Sequence, residues 1–287
     1  MNGFFLTRDG LHRRVEPYML ADRLAFLVEP LGVYIQDTDC LVDELWDFTL
    51  ARVVGDELRC SKDDVTRIVE SASGYRRGLN TDVWPRIACG VSNFLAKKGV
   101  SLAAGALFSE LANNSREIVG LSDVKPRLWV EQWFRSLNDR QIMHGLQSSA
   151  HQRVTKSLIS KWGVSIEDGP LFGGDVAMYL EIPYKPYGFV WRYTAETFEY
   201  AHYGLQILFV LVERNPVSLL LALQALRRAG NFAVGIATYE TDAEYLCVAR
   251  TLADYLNKFA MQPQICGHIY LADLREGFPK IFAEIMG

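Results

Sequence analysis

Three apolar runs within residues 204–272 constrain the fold more than any other part of the sequence. They cover residues 204–213, 231–239 and 265–272, and each is nearly continuous and rich in β-branched and aromatic residues. Strands buried on both faces of a parallel sheet have this composition, whereas strands with one solvated face alternate apolar and polar residues. Helical patterns separate the runs. We therefore predict an α/β fold class, with a βαβαβα unit in a mixed sheet that helices cover.

The first half of the chain is predicted to be mostly helical, which makes the protein α+β in overall content. The helical patterns include residues 18–28 and a long stretch over 139–162. The glycine- and proline-rich residues 167–174 form the clearest break in composition and indicate a soft boundary. We predict a mainly helical region over 1–163 and an α/β sheet domain over 164–287, with one compact unit as the alternative.

Composition and charge limit the classes of function. The chain is 49% hydrophobic and 22% charged, which is typical of a globular protein. Its net charge of −4 argues against binding of nucleic acid or of an anionic membrane over the whole surface. No segment has the pattern of a secretion signal, and residues 213–216 interrupt the most apolar region with Glu-Arg-Asn-Pro, so we predict no membrane helix. The five scattered cysteines include no CxxC pair, which favours reduced thiols and a cytoplasmic location.

The predicted element order from Asp139 onward resembles the restriction-endonuclease-like core, the PD-(D/E)xK fold. A helix over 139–162 is followed by strands over 175–182 and 188–193, and then by the strand that ends at Glu213. In that family the third strand ends in a carboxylate, any residue and a lysine, with another carboxylate upstream. The resemblance implies that these carboxylates hold Mg²⁺, which activates water for attack on a phosphodiester.

Glu213 occupies the acidic position of that family, but Asn215 stands where the lysine is expected. The upstream carboxylate would be Glu196 or Glu199. The resemblance therefore implies a metal-dependent phosphodiesterase or nuclease with a degenerate active site. In this interpretation Glu213 and Glu199 are the catalytic residues and the metal ligands, and Mg²⁺ is the cofactor. If the nuclease interpretation does not hold, the sequence assures no cofactor.

The predicted strands end in polar residues. Glu213, Glu240 and Asp273 follow the three apolar runs. In open α/β sheets, ligands bind in the crevice beyond the carboxyl ends of the strands. We therefore expect a ligand site at this edge, while the alternative treats Glu240 and Asp273 as ordinary polar loop residues.

Two basic stretches provide a different candidate site. Arg76 and Arg77 follow Tyr75 in a predicted loop, and Arg153 and Lys156 are three residues apart on the predicted long helix. Lysine and arginine on one face would bind phosphates of nucleic acid. A solvated helix surface is the alternative interpretation of the same residues.

No complete catalytic motif occurs in the sequence, and this absence favours a non-catalytic function. We predict a soluble protein whose function is most simply that of a non-catalytic interaction protein, of the immunity, antitoxin or defence-accessory type. The acidic balance and the 12% aromatic content favour a protein partner. The first alternative is the metal-dependent nuclease with Glu213 and Glu199, and the second is nucleic-acid binding through the helical half. No membrane partner is expected.

Overall fold

The computed structural model describes a little more than half of the 287-residue chain. The described residues are 3–7, 10–14, 23–29, 49, 52, 83–121, 125–126, 130–163, 171–183, 187–239, 247, 250–251 and 269–273. Two short strands, β1 (Gly3–Thr7) and β2 (Gly10–Arg14), pair antiparallel with each other in a separate sheet.

A six-stranded sheet and seven helices contain most of the other described residues. The strands of the sheet are β3 (Arg23–Val28), β4 (Met143–Gln147), β5 (Leu171–Phe172), β6 (Ile207–Glu213), β7 (Phe232–Tyr239) and β8 (Ile269–Asp273). The helices are α1 (Val83–Lys97), α2 (Ala104–Leu121), α3 (Val130–Asp139), α4 (Gln152–Lys161), α5 (Gly174–Tyr179), α6 (Phe189–Ala201) and α7 (Pro216–Arg228).

The strand order of the sheet is β5-β4-β3-β6-β7-β8, and every neighbouring pair is parallel. Counted along the chain, this is the order 3-2-1-4-5-6 of a doubly wound α/β fold. The direction of progression reverses between β3 and β6, which are direct neighbours. The carboxyl edge beside these two strands is therefore the topological switch point, where such sheets open a crevice.

Each face of the sheet carries its own buried apolar cluster. In β6, Leu208, Val210 and Val212 belong to the cluster that α3 and α4 cover. The intervening Ile207, Phe209 and Leu211 belong to the cluster that α6 and α7 cover. Because successive side chains of a strand point to opposite faces, a strand buried on both sides must be apolar throughout, as β6 is. The α/β fold class predicted from the apolar runs is confirmed.

Helix α7 begins and ends as its sequence predicts. Asn215 is the N-cap, and its side-chain oxygen accepts hydrogen bonds from the backbone N–H groups of Val217 at 2.9 Å and Ser218 at 3.2 Å. Pro216 occupies the first turn, where a missing N–H costs nothing. Gly230 follows the helix with φ of 84°, a conformation that glycine adopts without strain.

The strands predicted over 175–182 and 188–193 are wrong, because helices α5 and α6 occupy these positions. In α6, the buried Val190, Trp191, Thr194, Ala195 and Phe198 recur at helical spacing. The short segment that ends at Tyr193 shows only the beginning of this period. Its aromatic residues favour a strand locally, although they belong to the amphipathic helix α6.

Two stretches of the first half that are predicted to be helical contain strands in the structure. The stretch 18–28 includes β3, and the stretch 139–162 contains the end of α3, strand β4 and helix α4. Short strands buried on both faces have no period that distinguishes them from buried helix. Strands β3 and β4 precede the predicted boundary at 163/164, and β5 to β8 follow it. The sheet therefore contains strands from both sides of that boundary.

Candidate functional site

Glu29 follows β3 directly and lies at the switch point of the sheet. Its backbone N–H donates to the Val212 carbonyl at 2.9 Å, which continues the ladder between β3 and β6 by one residue. Val28 is in register with Val212 on one side and with Leu146 on the other. Glu29 is therefore level with the residues that end both neighbouring strands.

Those residues are Gln147 at the end of β4 and Glu213 at the end of β6. Neighbouring strands are about 4.8 Å apart, so Gln147, Glu29 and Glu213 form a row across three strands. Strand alternation places the row on the face that α6 and α7 cover, because Leu27 and Leu211 belong to the cluster on that face. All three side chains are buried, with exposed fractions of 1%, 6% and 2% in that order.

A backbone hydrogen bond orients the carboxylate of Glu213. The N–H of Asn215 donates to Glu213 Oε1 at 3.1 Å, while the Asn215 side chain caps α7. The strand end and the start of the helix therefore fix this side chain together. The prediction that Glu213 lies at the carboxyl end of its strand is confirmed.

A buried histidine and an aspartate lie at the same edge, beyond β4 and β5. His151 is the N-cap of α4, and its Nδ1 accepts a hydrogen bond from the Arg153 N–H at 3.2 Å. Its Nε2 is 3.7 Å from Asp175 Oδ2, and Asp175 Oδ1 accepts the Gln152 N–H at 2.9 Å. Burial lowers the pKa of His151, the Asp175 carboxylate opposes this, and the Arg153 charge adds to the lowering. The neutral ring is therefore favoured.

Close backbone contacts hold the loop between β4 and α4 in place. The Gly174 N–H donates to the Ala150 carbonyl at 2.8 Å, and Ser148 Oγ accepts the Ala150 N–H at 3.1 Å. A side chain at Gly173 would meet the Ala150 carbonyl at 2.6 Å. The ends of β4 and β5 are thus packed too tightly for any residue larger than glycine at position 173.

The structure does not bring Glu199 and Glu213 together. Glu199 lies near the end of α6, beside Asn231, which precedes β7. Glu213 is in register with Ala237, six residues further along β7. Strands rise about 3.3 Å per residue, so the two carboxylates are about 20 Å apart along the sheet. Burial raises the pKa of Glu199, and the nearby Asn231 amide partly offsets this.

The predicted basic site is described only in part. Arg153 and Lys156 are exposed on α4, and one guanidinium nitrogen of Arg153 donates to Asn113 Oδ1 at 2.7 Å. Arg76 and Arg77 lie outside the described residues. A nucleic-acid surface formed by these four residues stays a prediction.

Other predicted positions have mixed outcomes. Asp273 ends β8, as predicted, whereas Glu240 lies outside the described residues. Glu196 forms an exposed ion pair with Arg192 at 2.7 Å within α6. Within the described ranges, no group of three or more His, Cys, Asp or Glu side chains could hold a metal ion. No helix in the same ranges is long and apolar enough to cross a membrane.

The sequence does not single out Glu29 or Gln147, and it does not pair His151 with Asp175. One signal for Glu29 is present in the sequence. Leu27-Val28-Glu29 repeats the Leu211-Val212-Glu213 pattern, an apolar run that ends in glutamate. The prediction of a helix over 18–28 concealed this likeness. Gln147 and His151 carried no comparable signal, because the helix predicted over 139–162 left no strand end for them.

Comparisons with known proteins identify similar folds only. No protein-family model matches the chain, and no curated protein matches it. An L-2-haloacid dehalogenase structure is 14% identical with a TM-score of 0.43, over 92% of this chain and 99% of that chain. CbbY from Rhodobacter sphaeroides, in complex with xylulose-(1,5)bisphosphate, is 11% identical with a TM-score of 0.48, over 77% and 88%. A HAD family hydrolase from Deinococcus radiodurans with bound phosphate and sodium is 13% identical with a TM-score of 0.43, over 93% and 97%.

These findings correct the predicted function. The matched structures are described as dehalogenases and hydrolases, so the interpretation as a non-catalytic interaction protein of the immunity, antitoxin or defence-accessory type is corrected. The nuclease interpretation is wrong for a structural reason. A restriction-endonuclease-like core needs strands where this chain has α5 and α6, and the second proposed ligand, Glu199, lies at the opposite edge of the sheet from Glu213.

Proposed function

We propose that the protein is a hydrolase of small molecules whose reaction centre is the carboxyl edge of the sheet between β3 and β6. One observation carries this proposal. Glu29 and Glu213 are both buried, and they are level with each other on neighbouring strands at the switch point. Buried carboxylates at the ends of neighbouring strands are common acid–base groups in enzymes.

The two carboxylates have different roles in the proposed reaction. Glu29 removes a proton from a water molecule, whose oxygen forms a bond to the electrophilic atom of the substrate. The bond to the leaving oxygen then breaks, and that oxygen takes the proton from Glu29. Glu213, held by the Asn215 N–H, accepts a hydrogen bond from the same water and orients it.

Mg²⁺ belongs to this proposal only for phosphorylated substrates. A protein often binds Mg²⁺ through one or two carboxylates while substrate phosphate supplies further oxygens. Glu29 and Glu213 would be those carboxylates. The ion would polarise a phosphoryl oxygen and offset its charge.

We also propose that the reaction takes place in the cytoplasm. The cysteines are scattered along the chain, and Cys89 and Cys247 are exposed free thiols. Free thiols persist in reducing compartments, whereas secreted proteins usually pair them.

The test is hydrolysis of p-nitrophenyl phosphate and p-nitrophenyl acetate, each with Mg²⁺ and with a chelator. We expect turnover of at least one of them and a decrease in kcat/KM of about 10²–10⁴-fold in Glu29→Gln, because the base is lost. Glu29→Asp keeps the carboxylate and should retain measurable activity. Circular dichroism of each variant separates loss of the base from loss of the fold.

Glu196→Gln is the matched control. It removes an exposed glutamate of α6 whose only role seen in the described structure is the ion pair with Arg192. It should leave kcat/KM within about two-fold of the wild type, since surface ion pairs contribute little. Wild-type rates in Glu29→Gln, or no turnover of any probe under either condition, would contradict the proposed function.

A further inference from the structure

Gln147 combines full burial with an unused hydrogen-bonding group. Its side chain is 1% exposed. Its amide oxygen has no hydrogen-bond partner anywhere in the part of the chain that the structure describes. Buried polar atoms in folded proteins almost always have a partner, and each exception calls for an explanation. An apolar side chain of the same size would avoid this cost.

The position of Gln147 relates it to the proposed reaction centre. It ends β4, it is level with Glu29 on the neighbouring strand, and Glu213 is one strand further. All three side chains point to the face that α6 and α7 cover. The row therefore places an amide about 4.8 Å from the proposed base, which is within the length of a small substrate.

A carboxylate and an amide oxygen are both hydrogen-bond acceptors. A group that satisfies the Gln147 oxygen must therefore be a donor, and no group in the described part of the chain supplies one. A hydroxyl group is a donor of suitable size that can also accept a hydrogen bond from the amide NH₂ of glutamine. The chemistry of the row thus favours a hydroxylated ligand.

We propose that Gln147 is a specificity-determining residue that accepts a hydrogen bond from a substrate hydroxyl next to the bond that is hydrolysed. The inference rests on the proposed function and adds the substrate class, hydroxylated small molecules. Sites that hydrogen-bond a substrate hydroxyl discriminate strongly against analogues without it, because the protein group is then left unpaired.

The experiment compares probes that differ by one hydroxyl group. These are 2-hydroxyethyl phosphate against ethyl phosphate, and p-nitrophenyl glycolate against p-nitrophenyl acetate. We expect the wild type to favour the hydroxylated member of at least one pair by about ten-fold or more in kcat/KM, as one hydrogen bond allows. In Gln147→Met the ratio should fall below about two-fold, because the rate on the hydroxylated probe decreases much more than the rate on the probe without the hydroxyl. A purely structural role would lower both rates together.

Thr238→Val is the matched control. Thr238 is also fully buried, its hydroxyl has no partner among the described residues, and it lies near the end of β7. Strand alternation places it on the other face of the sheet, since Val234 and Ile236 belong to the cluster there. This variant should keep the wild-type ratio.

The outcomes separate the two proposals. Equal rates of the wild type on both members of each pair overturn the role of Gln147 and leave the hydrolase intact. The same conclusion follows if Gln147→Met keeps the wild-type ratio. If the wild type hydrolyses no probe at all, both proposals fail. The wild-type ratio needs no variant, so the test stays decisive even if Gln147→Met does not fold.

Discussion

At the scale of single residues, the candidate site depends on two glutamates that the sequence presents in the same way. Each follows an apolar run ending in Leu-Val, yet only Glu213 was recognised as a strand end. The difference lies in the length of the two apolar runs. The run before Glu213 is long enough to exclude an amphipathic helix, whereas the six residues of β3 fit either structure. Register then makes Glu29 and Glu213 neighbours, which no local pattern could show.

His151 provides a prediction at the residue scale, because only its neutral ring can cap α4 through Nδ1. Burial lowers the pKa of His151 below its ordinary value of about 6.5, so the unfolded state binds more protons as the pH falls below that value. The free energy of unfolding should therefore decrease from pH 7.5 to pH 5.5. Urea unfolding at the two pH values measures it.

His151→Asn is the control for this prediction. Asparagine keeps a capping oxygen and does not titrate, so the decrease between the two pH values should become smaller. The Asp175 carboxylate and the Arg153 guanidinium, which face His151, remain in the variant. An identical decrease in both proteins would assign the pH dependence to other groups.

At the scale of elements, the loops at the carboxyl edge are held by close backbone contacts together with side-chain hydrogen bonds. Gly173 and Gly174 separate β5 from α5 and lie against the loop between β4 and α4. The glycine-rich stretch 167–174, which predicts a soft boundary, thus ends in a tightly packed turn beside the candidate site. Composition alone does not distinguish a linker from a close approach, because both need glycine.

Gly173→Ala tests this packing. The added methyl group would meet the backbone of Gln152 and the Ala150 carbonyl, so the variant should lower the free energy of unfolding by about 1–3 kcal/mol. Gly120→Ala in α2 is the control, because no described residue lies within 4 Å of its added methyl group. That control should be neutral or slightly stabilising. Denaturant unfolding measures the free energy of unfolding of both variants. Equal values for Gly173→Ala and Gly120→Ala would contradict the close packing at Gly173.

At the scale of the whole molecule, the site exists because strands distant in sequence become neighbours. β3 pairs with β6 although about 180 residues of chain separate them. The intervening chain supplies β4, β5 and the helices α1 to α6. Helix α2 lies against α4, where Lys161 Nζ donates to the Val119 carbonyl at 2.7 Å. The sheet therefore depends on both halves of the sequence, and the helices α3 and α4 that cover one of its faces come from the first half.

We predict that residues 164–287 do not fold alone, although the sequence suggested a separate domain there. Removal of residues 1–163 leaves one edge of the fully buried β6 without β3 and exposes Leu208, Val210 and Val212, which α3 and α4 cover. An unpaired apolar strand edge favours aggregation. Circular dichroism and size-exclusion chromatography test the fragment, and co-expression with residues 1–163 should restore solubility. A folded, monomeric fragment would contradict this prediction.

The sequence alone determined the α/β class, the positions of β6, β7 and α7, and the place of Glu213 at a strand end. Long apolar runs and helix caps are local signals, and their physical causes act within a few residues. The tertiary structure alone decided which strand ends meet. Strand order and register depend on packing between distant segments, and they brought Gln147, Glu29 and Glu213 into one row while separating Glu199 from it. A site formed across several strands is therefore a property of the folded sheet and not of any one stretch of sequence.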